Sequence, residues 1–119
     1  MEMMADPVNV VRALGALAQD HRLAAFRLLV QAGAQGLAAG ELALRVGVMP
    51  SSMSFHLAQL ANAGLVDQRR EGRSIIYTAR FAAMNALMGY LTANCCNGVP
   101  CGIAAPLCDD QPLAQRGAA

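Results

Sequence analysis

Apolar residues recur at helical spacing along most of this chain, interrupted once by two short extended runs. Asp6-Pro7 sets a helix start, with a carboxylate at the N-cap and a proline at the first helical position. Val10, Leu14 and Leu17 follow on one face, to about Ala18. Asp20 is read as the cap of a second helix with Leu23, Phe26 and Val30 inward, and Gly33 as its stop. A short helix over 38–46 carries Leu42 and Val46 one turn apart and ends at Gly47. Pro50 opens a fourth, with Met53, Leu57 and Leu60 inward and Gly64 as terminator.

The period then changes. Runs 65–69 and 74–78 read as short strands joined by Arg70-Glu71-Gly72-Arg73, a hairpin with its glycine in the turn. From Phe81 the helical period returns: Phe81, Met84, Met88 and Leu91 are spaced 3, 4 and 3, a stripe suited to a helix–helix seam. Asn97-Gly98 and Pro100 end it. Beyond Gly102, Gly, Pro and Ala predominate without period, and 109–119 is expected to lack order.

Four helices, a hairpin and a last helix make a mainly α fold with a small β-hairpin. Two helices joined by Gly47-Val48-Met49-Pro50 and followed by a hairpin specify a winged helix-turn-helix. Residues 1–94 form the DNA-binding and dimerisation domain in this reading, and 95–108 a cysteine-rich segment.

Composition changes this picture in three ways. With 119 residues, 55% hydrophobic and 14% charged, the chain builds one small core that a second copy would reinforce. No apolar run reaches the roughly 18–20 residues that span a membrane, and the acidic start 1–6 is not a secretory signal. The cysteines are therefore expected in a reducing cytoplasm, where ligand binding or redox sensing is commoner than a stable disulfide. The net charge is only +1, but eight arginines and four acids lie between Pro7 and Asn94, so the middle of the chain is basic.

Ala16-Leu17-Ala18-Gln19-Asp20-His21-Arg22-Leu23 resembles the opening motif of the ArsR/SmtB family of metal-responsive repressors. Glu41-Leu42-Ala43, Pro50-Ser51-Ser52-Met53-Ser54-Phe55-His56-Leu57 and Leu60-Ala61-Asn62-Ala63-Gly64-Leu65-Val66 are similar to that family's helix-turn-helix. Arg69-Arg70-Glu71-Gly72-Arg73-Ser74-Ile75-Ile76-Tyr77 is similar to its wing, and the register is continuous over 10–91. The resemblance implies a homodimeric repressor, not an enzyme, that leaves an inverted-repeat operator in double-stranded DNA when an inducer binds. Val10, Leu14, Phe81, Met84, Met88 and Leu91 would form the dimer seam.

Two inducer arrangements of that family are absent. The third helix, around 37–42, has no thiol, and the last helix has neither histidine nor carboxylate. All four cysteines fall after residue 94: Cys95, Cys96, Cys101 and Cys108. A vicinal pair with a nearby third cysteine resembles a subset of arsenic repressors. Trivalent arsenic (arsenite) or antimony is soft and thiophilic and takes three sulfurs in a pyramid. Cys95, Cys96 and Cys101 are the expected ligands, with Cys108 auxiliary. Adjacent cysteines fit poorly to a structural zinc, which uses C-x2–4-C pairs. A thiol-redox switch, a zinc, cadmium or lead sensor, and a sensor of trivalent organoarsenicals stay open as alternatives. A carrier or thiol reductase ranks lower, because the chain has neither a CxxC nor a nucleophile–base pair.

For DNA, Ser51, Ser52 and Ser54 place short hydroxyls at the start of the recognition helix, with His56 and Gln59 further along. Ser51 and Ser52 equally suit helix capping, and His56 a tucked-in surface position. Phe55 is assigned a packing role, on a thymine methyl, on the backbone or over the core. Arg69, Arg70 and Arg73 in the wing would meet phosphates or the minor groove.

Overall fold

The computed structural model describes residues 7–94. The cysteine-rich segment 95–108, the 109–119 tail and the Asp6 cap lie outside the described residues. In chain order the elements are α1 (Pro7–Leu17), α2 (Asp20–Ala32), a 3-10 turn (Gly33–Gln35), β1 (Leu37–Ala38), α3 (Ala39–Val46), α4 (Pro50–Asn62), β2 (Val66–Glu71), β3 (Ser74–Ala79) and α5 (Phe81–Leu91). The architecture is a winged helix-turn-helix, mainly helical, with a small antiparallel sheet in the order β1-β3-β2.

The start of α2 differs from the expectation. Gln19, not Asp20, is the N-cap, and its side-chain oxygen accepts from the Arg22 amide at 2.9 Å. Asp20 is the first helical residue, where its charge faces the positive end of the helix dipole. The inward face of α2 also rotates: Ala25, Phe26 and Leu29 are buried, while Leu23 is exposed and Val30 only partly covered.

The sheet has a strand that periodicity did not reveal. Leu37 and Ala38 pair with Tyr77 and Ile76 of β3. Gly36, at φ 69°, permits this approach. A Cβ there would run into the Tyr77 carbonyl and come within 2.7 Å of Thr78 Cγ2 and 2.8 Å of Ile76 Cγ2. The wing strands are longer than expected and the turn tighter. Glu71 pairs with Ser74, leaving only Gly72-Arg73 as the loop, with Gly72 at φ 63°. A glycine at positive φ in the first position of a two-residue loop matches the twist of the flanking strands.

Alternation assigns the faces of the hairpin. Val66 and Ala79 pair with each other and are buried, so Gln68, Arg70, Ile75 and Tyr77 share their side. Asp67, Arg69 and Glu71 lie on the other. The core gathers around Leu29, Leu42, Met53, Leu57, Leu60 and Leu65, all essentially inaccessible to solvent.

The first and last helices pack inward through Val10 and Ala13, and through Ala83, Met84 and Leu87. That reassigns Val10 and Met84, at 4% and 8% exposure, from the expected dimer seam to the protomer's own core. Leu14, Met88 and Leu91 remain exposed, and Phe81 is half-buried. On the opposite faces Val8, Val11 and Gly15 of α1 and Ala82 and Gly89 of α5 also lie open, and α5 carries no charged residue. No described helix is long and apolar enough to cross a membrane.

Candidate DNA-binding surface

The turn between α3 and α4 follows from three residues. Gly47 adopts a left-handed conformation (φ 86°, ψ 35°), and its amide donates to the Ala43 carbonyl at 2.8 Å. Met49 is extended and serves as N-cap without a side-chain bond, and Pro50 occupies the first turn. Ser51 and Ser52 are thus inside the first helical turn and do not cap it. Both are exposed, as is Ser54. Their hydroxyls and the open N-terminal amides of α4 suit a phosphate or base edges.

Met53, Leu57 and Leu60 anchor α4 inward. The middle of the opposite face is Phe55, which is 58% exposed. Of the packing roles open to it, covering the core is excluded by this exposure; its ring lies edge-on to that of His56 at a centroid distance of 5.8 Å. An aromatic ring at this place is suited to a thymine methyl. Exposure of Phe55 on the outer stripe of α4 leaves the contact with DNA, among the alternatives the sequence left open, as the one its position suits.

His56 is turned toward α2. Its Nδ1 lies 3.4 Å from an Arg22 guanidinium nitrogen, and its ring is 5.6 Å from that of His21. Burial, followed by the positive charge of Arg22 and then His21, holds the imidazole below the ordinary histidine pKa. The Nε of Arg22 donates to the Ala16 carbonyl at 2.7 Å, so this one side chain links the end of α1 to the recognition helix. A second clamp closes the far end of α4: Arg12 of α1 donates to the Asn62 carbonyl at 2.8 Å. Gln59 is half-buried and borders a shallow hollow with Arg12, Ala16 and Asn62.

The wing arginines divide into two kinds. Arg69 is committed within the protein: Nε to Glu71 at 2.6 Å, and its two terminal nitrogens to the carbonyls of Ala34 at 3.1 Å and Gln35 at 3.0 Å. It fastens the root of the wing to the 3-10 turn. Arg70 and Arg73, at the tip, are exposed and have no hydrogen bond or ion pair among the described residues. Their charge is free for phosphate, unlike that of Arg45 and Arg80, which pair with Glu41 and Asp67.

A helix-turn-helix with an exposed hydroxyl-bearing recognition helix and a cationic wing defines a DNA-binding transcriptional regulator. Residues 17–69 match the sequence family described as "Helix-turn-helix domain". The HTH-type transcriptional regulator YgaV of Escherichia coli (strain K12) is 31% identical over 90 residues, 76% of this chain and 89% of that protein. The structure of an ArsR-like transcriptional regulator from Rhodococcus sp. RHA1 aligns with a TM-score of 0.63 at 28% identity, over 71% of this chain and 76% of the other. The homodimeric winged helix-turn-helix DNA-binding domain of a Mycobacterium bovis protein aligns with a TM-score of 0.57 at 31% identity, over 72% and 79%. The chain belongs to the ArsR/SmtB family of transcriptional regulators, which are not enzymes.

Cys95, Cys96, Cys101 and Cys108 lie outside the described residues, and so does the expected thiol site. Among the described residues no group of three His, Cys, Asp or Glu side chains is placed to hold a metal. What is described is the lead-in. The Thr92 hydroxyl donates to the Met88 carbonyl at 2.8 Å, and Asn94 takes a left-handed φ of 57° immediately before Cys95.

Proposed function

We propose that the protein is a homodimeric repressor that releases an inverted-repeat operator when trivalent arsenic or antimony binds Cys95, Cys96 and Cys101. The observation that carries this reading is position: every thiol of the chain lies beyond α5, an uncharged helix with an open apolar face that ends at Leu91, shortly before the Cys95-Cys96 pair. The Val8–Val11–Gly15 side of α1 and the Ala82–Gly89 side of α5 are the surfaces offered to a second copy, consistent with the homodimeric Mycobacterium relative. Two recognition helices in successive major grooves would then stand about 34 Å apart.

Arsenite, As(OH)3, forms three As–S bonds as three hydroxyls leave as water with the thiol protons. A helix C-terminus disfavours a free thiolate, which weighs less on this condensation than on an oxidation switch. Drawing the three sulfurs together pulls on the end of α5. Arg12 and Arg22 supply the route onward, since both tie α1 to α4. A coupling of about 1–3 kcal/mol changes operator affinity about 5–150-fold.

The test is fluorescence anisotropy of the protein on its own promoter DNA under reducing conditions, with arsenite and a monomethyl trivalent arsenical titrated in parallel. Arsenite-driven release that disappears in Cys95→Ser, Cys96→Ser and Cys101→Ser supports the three-thiol reading. Release by the methylated compound alone reduces the site to Cys95 and Cys96. Response only to zinc, cadmium, lead or an oxidant overturns the metalloid assignment.

A further inference from the structure

An apolar groove of about 410 Å³ runs between the end of α1, α2 and α5, walled by Leu17, Leu23, Phe26, Val30, Met84 and Met88. It is open to solvent, and its rim carries Arg27 and Gln31. Arg27 has no ion pair among the described residues. The three ion pairs described there use Glu41, Glu71 and Asp67, leaving Asp20 alone unpaired among the four acids of 7–94. Among the described residues no acid therefore pairs with the Arg27 at the groove's rim.

The rest of the chain contains both apolar residues and acids. One wall of the groove is α5 itself, which ends at Leu91, about one turn past Met88. The sequence that follows includes an uncharged stretch, Ile103-Ala104-Ala105-Pro106-Leu107, and then Asp109-Asp110. From Asn94 to Ile103 the backbone can reach about 30 Å when extended, ample to return along α5. Seating Ile103 and Leu107 removes two large aliphatic side chains and the groove walls from water together. Asp109 and Asp110, which follow this stretch, are acids of the sign that Arg27 lacks as a partner among the described residues.

We propose that segment 103–107 of the same chain docks in the α1–α2–α5 groove, with Asp109 and Asp110 against Arg27. This tail strap goes beyond the metalloid reading and does not depend on it. It would hold the cysteines between two fixed points, the end of α5 and the groove.

Proximity of Cys108 to the groove rim tests the strap without any metalloid. Full-length protein carrying Cys95→Ser, Cys96→Ser, Cys101→Ser and Gln31→Cys retains only the rim thiol and Cys108. Gln31 is exposed, so the fold tolerates the change. On oxidation with diamide, a monomer-sized disulfide on a non-reducing gel is expected to form at least ten times faster than with Arg45→Cys on α3 in place of Gln31→Cys. Adding Ile103→Asp and Leu107→Asp is expected to remove that advantage. The same two changes in the wild-type chain are expected to raise anilinonaphthalene sulfonate fluorescence severalfold by opening the groove. A disulfide rate equal to that of the α3 control, or a predominantly dimer-sized product, overturns docking by the chain's own tail. Unchanged dye binding on the Ile103→Asp, Leu107→Asp background overturns it independently.

Discussion

Arg22 and His56 meet with a guanidinium nitrogen 3.4 Å from the imidazole Nδ1, which joins the α1–α2 corner to the recognition helix. The contact requires a neutral histidine, because a protonated ring would put two cations face to face. His56 is held below the ordinary value of 6.5, first by burial and then by Arg22 and His21. A histidine with a lowered folded pKa binds fewer protons folded than unfolded, so its contribution is complete above the unfolded value and declines as the pH falls through it. Urea midpoints are therefore expected to fall between about pH 7.5 and about pH 5.5. His56→Gln is expected to flatten part of that slope. Identical slopes in the two proteins would show that the contact is not formed in solution.

Substituting the wing arginines one at a time separates their two kinds. Arg69→Ala removes bonds to two carbonyls and a carboxylate on a partly exposed surface, and is expected to cost about 1–2 kcal/mol in urea unfolding. Arg70→Ala and Arg73→Ala should change stability by less than about 0.5 kcal/mol. Each should instead weaken DNA binding and lower the slope of log affinity against log salt by about 0.9 per lost phosphate contact, so about twice that for a dimer. A full salt slope in both tip variants would remove the wing from the DNA contacts.

Sequence alone was a good guide wherever the signal is local. Gly33, Gly47 and Pro50 impose backbone constraints that act on their own neighbours, and they mark helix ends where expected. Strand β1 was not legible, because two residues have no period and its existence depends on Gly36 touching β3, more than thirty residues away. The sidedness of α1 and α5 was not legible either. Both faces of these helices are apolar, so spacing of 3, 4 and 3 could not say that Met84 turns inward while Met88 stays open. The separation of Arg69 from Arg70 was available in principle from strand alternation, but only once the register with Ile76 and Ile75 was fixed. Phe55 needed the orientation of α4, set by Met53, Leu57 and Leu60.

Gly36 offers a sharp contrast with Gly47, since both have positive φ but different surroundings. An added methyl at Gly36 meets the Tyr77 backbone and two β3 side chains, whereas at Gly47 it meets nothing within 4 Å. Gly47→Ala is expected to cost about 1–2 kcal/mol for the left-handed conformation alone. Gly36→Ala adds an overpacking penalty of about 1–3 kcal/mol on top of that strain. Thermal or urea unfolding of the two variants should rank Gly36→Ala clearly lower. Equal losses would mean that β1 does not close on β3 as described.

The two open helix faces make the most exposed prediction, at Gly15 of α1 and Gly89 of α5. Within the protomer an added Cβ at either position touches nothing within 4 Å, so each site tolerates a large side chain as far as one chain is concerned. Leucine is also a better helix former than glycine by about 0.8–1 kcal/mol. Gly15→Leu and Gly89→Leu should therefore fold. If these faces meet a second copy across a two-fold axis, each substitution places its bulk in the interface twice. Overpacking of about 1–3 kcal/mol per site, incurred twice, then weakens the dimer by roughly thirtyfold to 10⁴-fold. Sedimentation equilibrium should show the shift toward monomer, and anisotropy a parallel loss of operator binding that higher protein concentration restores. Helical content at high protein concentration should match the parent. Unaltered dimers in both variants would place the interface elsewhere on the molecule and leave the uncharged face of α5 without its partner.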